Sequence, residues 1–259
     1  MKNQGICKLC QQYRVFVKSH IIPRACYKDP YRKSEPLTMI CPESTLKPYK
    51  NLNGVYAFFL CDECEKKFST IDSNGLNILY RENFIEYVVL NPWNPYQYYK
   101  IYETFDKFGK GFIKQAKLFV LSILWRAAVS NRKEFNSVKL DKDILEQARQ
   151  VFFNNSHELL DKVDIAISKF TNGSNLFIFP VKEQFGEIKG FRISLPYYTL
   201  LVKIDDQPFP SQLHNVSLNG LNTIMAINRD WNRSAELSIV KGFWHQIRLN
   251  KQSHPVVHP

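Results

Sequence analysis

Four cysteines stand in two pairs of equal spacing, Cys7-x-x-Cys10 and Cys61-x-x-Cys64. A Cys-x-x-Cys turn lets two thiolates grip one ion, and two such turns complete a tetrahedron with Zn–S bonds of about 2.3 Å. The spacing predicts one structural Zn²⁺ held by Cys7, Cys10, Cys61 and Cys64. The rival chemistry is thiol–disulfide exchange. A redox motif of that kind sits in a βαβ context, and neither pair has one. Cys26 and Cys41 have no partner at ligand spacing and read as ordinary free thiols. The segment between the pairs is longer than a zinc ribbon allows and is read as an inserted loop.

Between the pairs lies Lys18-Ser19-His20-Ile21-Ile22-Pro23. A neutral imidazole takes a proton near pH 7, so His20 is a candidate general base. A histidine after a strand can equally be a packed, hydrogen-bonded residue. Glu65 directly follows the second pair. Its carboxylate could hold a cation, or it could be an acid favoured by the dipole of a helix's first turn. Asp72 falls about two helical turns later on the same face. Lys18, Arg24, Lys28, Arg32 and Lys33 flank the histidine, with Tyr27 and Tyr31 interleaved. Such a set could grip phosphates and stack bases, or it could be a solvated basic loop. His157, His214, His245, His254 and His258 lack partners at ligand spacing and are given no role. Gly109-Lys110-Gly111 lacks the spacing of a phosphate loop.

These groups need a scaffold. The 259 residues are 44% hydrophobic and 14% aromatic, a globular composition with room for one or two domains. The opening MKNQGICKLC has no apolar leader, so no export is expected. That favours metal ligation over disulfides for the paired cysteines. The longest apolar run, 116–129, contains Lys117 and Arg126 and is too short to cross a bilayer. It predicts a buried helix, no membrane association and a cytoplasmic location. A net charge of +11 fits a nucleic-acid partner, DNA more than RNA. A Lys-rich proteome would give the same number without one. The charge is spread along the chain: residues 1–75 hold 12 Lys plus Arg and 7 Asp plus Glu.

The pattern predicts an α+β chain. A treble-clef zinc module (ββα) occupies the N-terminal part, followed by a helical middle and a β-rich C-terminal region. The division expected is 1–90 for the module and 91–259 for an α+β domain. Within the module, Tyr13–Val17 alternates as a strand, His20–Ile22 continues a hairpin, and Pro23 ends the pairing. Residues 27–55 read as a long loop. A helix is expected after Cys64. Residues 91–107 read as a linker or packing segment. Helices are expected at 109–132, at 141–154 with Asp141 as N-cap, and at 159–170. Strands are expected at 176–179, 190–195, 198–204, 223–227 and 237–244, with a frayed tail over 251–259.

The order of Cys-x-x-Cys, a hairpin ending in His20-Ile21-Ile22-Pro23, and Cys-x-x-Cys opening a helix resembles the HNH, or His-Me finger, nucleases. It is most similar to their zinc-containing, endonuclease VII-like branch. The likeness covers residues 5–80 and says nothing of 90–259. It implies that His20 activates water. Ser19 stands where the family has an acidic or histidine ligand, a departure because serine is a weak, neutral ligand for Mg²⁺ or Mn²⁺. Glu65 stands at the family's asparagine position, where its carboxylate would supply the missing charge, and Asp72 could join it. An ion there would act as a Lewis acid in metal-dependent phosphodiester hydrolysis, in a setting such as bacterial or phage defence. The alternative is a catalytically degenerate zinc module that binds nucleic acid or a partner protein without hydrolysis. In either case residues 91–259 would serve substrate choice, a protein partner or homo-oligomerisation. A third reading is a purely structural subunit.

Overall fold

The structure is a computed structural model that describes residues 3–30, 36–42, 47–51, 53–80, 86–88, 97–102, 111–170, 172, 176–219 and 223–252. Gln4–Ile6 (β1) and Tyr13–Val15 (β2) pair antiparallel, with Ile6 opposite Tyr13. The first Cys-x-x-Cys forms the turn between them. The Gln11 amide closes that turn on the Cys7 carbonyl at 2.9 Å, with Gln11 in the left-handed region at φ 59°. Val17–His20 (β3) follows, then Thr38–Ile40 (β4), Tyr49–Lys50 (β5) and Tyr56–Leu60 (β6). β3 pairs antiparallel with β6, placing His20 opposite Tyr56. This corrects the expected hairpin of 13–17 with 20–22. β2 is already committed to β1, and the Phe16 amide is bound to Asn3, so the chain cannot fold back on itself there. The helix Asp62–Tyr80 (α1) starts directly after β6, with the Glu65 amide on the Cys61 carbonyl at 2.9 Å.

The remaining strands are Glu86–Val88 (β7), Gln97–Tyr102 (β8), Val163–Phe170 (β9), Leu176–Phe185 (β10), Ile188–Leu195 (β11), Tyr198–Ile204 (β12) and Thr223–Arg229 (β13). Among the described residues, nine strands form one mixed sheet in the order β5-β4-β10-β11-β12-β9-β13-β8-β7. β4 runs parallel to β10 and β9 parallel to β13; the other neighbours are antiparallel. The longer helices are Phe112–Val129 (α2), Lys142–Asn154 (α3) and Ala235–Gln252 (α5), with the short Glu158–Lys162 (α4) before β9. The fold is α+β with a helical middle.

α2 is apolar on nearly every side, the composition of a helix buried all round. Phe119, Val120, Leu121, Ile123, Leu124 and Trp125 are all buried, and α2 packs on α1, α3 and the sheet strands β9 and β13. Phe68 of α1, Trp125 of α2 and Phe152 of α3 meet with ring centroids 5.1–5.9 Å apart, within the favourable range for aromatic pairs. Gly75 is what lets α1 approach α2, because a Cβ there would lie 2.1 Å from Phe119 Cγ. One apolar cluster therefore runs from Cys7 and the second cysteine pair to Ala226 in the sheet.

Four expectations are corrected. The segment 27–55 is not a plain loop, since it supplies β4 and β5 to the sheet. Residues 97–102 of the expected linker form β8, and the rest of that stretch lies outside the described residues. The helix expected at 159–170 ends at Lys162 and gives way to β9. The strand expected at 237–244 is part of α5. There, Ser234 Oγ accepts the Leu237 amide at 3.1 Å, and Val240 and Phe243, spaced three apart, are buried with Ile40 and Ile178. Most of the tail over 251–259 lies outside the described residues.

Candidate metal centre and the adjacent histidine

The two Cys-x-x-Cys turns converge because each is tied to the same strand. The Lys8 amide in the first turn donates to the Phe59 carbonyl at 2.9 Å, and the second turn begins where β6 ends. All four ligand sulfurs lie within 4.8 Å of one another, and Cys10 Sγ and Cys61 Sγ are 4.0 Å apart. Tetrahedral Zn–S geometry sets neighbouring sulfurs about 3.8 Å apart, whereas a disulfide requires about 2.05 Å. The cluster fits a metal rather than a cross-link, and all four are free thiols. Cys7, Cys61 and Cys64 are buried, and the Cys61 amide donates to Cys7 Sγ at 3.5 Å. Four cysteines so placed could bind a metal such as zinc.

His20 ends β3 on the other side of β6 from the first turn. Its Nε2 lies 2.9 Å from the Asn53 carbonyl oxygen. A carbonyl only accepts, so Nε2 carries the proton in this bond and Nδ1 is the unprotonated nitrogen of the neutral ring. Asn53 is itself held: Asn51 Oδ1 accepts its amide at 2.8 Å, and Arg24 Nη2 donates to its side chain at 3.3 Å. The next residue, Gly54, has φ 72°, and a Cβ there would meet the Tyr27 ring at 2.6 Å. Only glycine fits both demands. Burial holds the His20 pKa below the usual histidine range, and Lys18, Arg24 and Arg126 push it the same way against the Asn53 carbonyl.

Ser19 is fully buried, donates its hydroxyl to the Val17 carbonyl at 3.4 Å and lies against Glu65 of α1. Burial raises the Glu65 pKa, opposed by the Ser19 hydroxyl, Arg126 and the His20 amide. Glu65 therefore lies against the Ser19–His20 segment. Its Oε2 is shielded from water and has no hydrogen-bond partner among the described residues. Asp72 is committed elsewhere: both its oxygens accept from Arg126, at 2.6 and 2.9 Å. Burial raises the Asp72 pKa while Arg126 draws it down. Arg126 comes from the middle of α2 and is 0% exposed. It also donates to the His20 carbonyl at 2.9 Å and to Ser122. One guanidinium thus joins α2, α1 and the end of β3.

Ser19, His20, Glu65 and Asp72 are accordingly brought into one neighbourhood. Lys18 and Arg24 are exposed beside His20, while Lys28 is half-buried beyond the turn Arg24–Tyr27. Arg32, Lys33 and Tyr31 lie outside the described residues. Tyr27 cannot stack a base, since it is fully buried with its ring on Phe177 at 4.8 Å. Cys26 and Cys41 are buried thiols, with Cys41 pushed up to about 12 by burial. Reading the sequence for motifs passes over Asn53 and Arg126. Both left a signal: Asn53-Gly54 is a turn dipeptide, and Arg126 is a charge inside an apolar run.

Among the described residues no helix is long and apolar enough to cross a membrane. Compared with protein-family models, with curated proteins and with solved structures, the chain matches none.

Proposed function

We propose that the protein is a zinc-stapled, HNH-like hydrolase of phosphodiester bonds in nucleic acid. The observation that supports it most is the His20 ring, held through Nε2 by a carbonyl with Nδ1 left to accept a proton. That is the arrangement of a general base with its orienting group. In this reading Cys7, Cys10, Cys61 and Cys64 hold Zn²⁺ and keep β6 and α1 in register with the knuckle. Nδ1 of His20 takes a proton from water, the hydroxide adds to phosphorus, and the P–O bond to the leaving oxygen breaks with its electron pair going to that oxygen. Glu65 Oε2, buried and unpaired, is the atom suited to hold Mg²⁺ or Mn²⁺. The ion when bound supplies Lewis-acid stabilisation at the phosphoryl group. Asp72 acts through Arg126, which fixes the backbone of His20. Lys18 and Arg24 meet the phosphates. Residues 91–259 contribute Arg126 and surfaces for substrate or partner choice.

The decisive experiment is cleavage of single- and double-stranded DNA and RNA with Mg²⁺ or Mn²⁺, comparing wild type with His20→Ala. Loss of a positioned base lowers the rate by about 10²–10⁴-fold. Equal rates, or no cleavage by wild type on any substrate, would sink the hydrolase. Ser19, where a charged ligand is expected, favours a second reading: a zinc module that binds nucleic acid or a partner protein without cutting. It predicts binding with no turnover.

The pH profile gives an independent check. Neutral His20 is the active form, and its folded pKa is lowered. Activity should be full above the ordinary histidine value near 6.5 and fall only as pH drops through the lowered pKa. An acid limb centred at or above 6.5 would contradict His20 as the base.

A further inference from the structure

The ribbon that carries His20 also carries a half-buried Tyr56 and an exposed Phe58. The Tyr56 ring lies opposite His20, with centroids 6.1 Å apart, and Phe58 stands edge-on to Tyr56 at 5.9 Å. Lys18 Nζ sits 3.8 Å above the Tyr56 ring. These contacts place all four side chains on one face of β3–β6. Ser19 turns the other way and is fully buried. Phe58 is 44% exposed. An exposed phenyl ring leaves apolar surface in water, so beside a candidate base it offers a face to a ligand. The surrounding charge is positive, with Lys18 and Arg24 both exposed. The missing ligand should therefore combine a flat apolar face with negative charge.

We infer that Phe58, Tyr56 and Lys18 form a platform for the unpaired bases and phosphates of single-stranded nucleic acid. In a duplex the base faces are already stacked and cannot cover a phenyl ring; in a single strand they can, with little regard to sequence. A base on Phe58 would set the neighbouring phosphate between Lys18 and His20. The inference rests on the hydrolase reading for its choice of nucleic acid, but it concerns binding, and its test does not need turnover.

The test is fluorescence anisotropy with a labelled single-stranded oligodeoxynucleotide, its duplex, and anionic phosphatidylserine vesicles as competitor, all in chelator-free buffer without added Mg²⁺ or Mn²⁺, with the His20→Ala protein as background. The single strand should bind more tightly than the duplex. Phe58→Ala should weaken the single strand by about tenfold or more, the loss of one base–aromatic stack. It should leave the thermal melt and duplex binding unchanged. Phe58→Trp should restore single-strand affinity. Lys18→Ala should reduce the slope of log affinity on log salt by about 0.7. Equal affinity for single strand and duplex, unchanged binding by Phe58→Ala, or displacement of the oligonucleotide by vesicles would overturn the platform. Tight, Phe58-dependent binding without cleavage in the Mg²⁺ assay would leave the platform standing and reject the hydrolase.

Discussion

If zinc is the staple, Cys61→Ser should abolish metal binding and lower stability more than the loss of any exposed side chain of the module. Wild type should carry about one zinc per chain, and the variant a small fraction of that, measured by mass spectrometry of the native protein. The reason is geometric. Cys61 joins the end of β6 to the start of α1, and its amide already meets Cys7 Sγ. Apparent binding energies of structural zinc are about 10–16 kcal/mol, and most of that is folding energy. Three remaining thiols could not close a tetrahedron around the ion without a water in the fourth position. A chelator should lower the wild-type melting temperature and leave the variant nearly unchanged. A variant with one tight zinc and an unshifted melt would show that the four sulfurs are packed thiols.

Arg126→Met should destabilise the fold by about 3–5 kcal/mol, because it leaves the Asp72 carboxylate buried without its partner. For a chain of this size that is a fall in melting temperature of roughly 10 °C. The pH dependence carries the mechanism. With Arg126 gone, burial is opposed only by the weaker pull of His20 and raises the folded pKa of Asp72 further above the unfolded value. A raised folded pKa adds stability only below the unfolded pKa, and that stability is lost as pH rises through the folded one. The variant should therefore be closer to wild type near pH 5 than near pH 8. Replacing both partners, with Asp72→Asn added, should recover part of the loss in a double-mutant cycle. A destabilisation that does not vary with pH would show that packing, not charge, is what Arg126 provides.

The parts of this molecule that were legible in the sequence are those with local causes. The cysteine pairs carry their meaning in their spacing. α2 announces itself by a long apolar run over 116–129 interrupted by Lys117, Ser122 and Arg126. β10 to β12 are marked by runs of β-branched and aromatic residues and by the short turns between them. What was hidden depends on distant partners. β9 is buried on both faces although it carries Asp164, Ser168 and Lys169, so its strand character depends on β12 and β13 on either side of it. β4 becomes a strand because β10 pairs with it in parallel from more than a hundred residues away. Leu237–Trp244 holds β-branched residues, yet Ser234 at its start and the three-residue spacing of Val240 and Phe243 decide for a helix. At the histidine, the sequence offers Ser19, His20, Glu65 and Asp72 as candidates. It could not reveal that Asp72 belongs to Arg126 or that Asn53 holds the imidazole.

The sulfurs of Cys10 and Cys61 meet across 51 positions of chain, and between those positions lie β4 and β5, the outermost strands on one side of the nine-stranded sheet. A metal held by the four sulfurs would be the clasp of a loop whose far end is sewn into the sheet. By the loop-closure relation for a covalent cross-link, a ring of this size restrains the unfolded chain by about 4 kcal/mol. Opening the clasp frees both ends of that ring and lets β4 peel away from β10. The newly bared β10 would offer a row of unpaired amides and carbonyls, a template for a second chain. Loss of the metal should therefore appear as self-association by edge pairing even while the helices and the rest of the sheet stay folded.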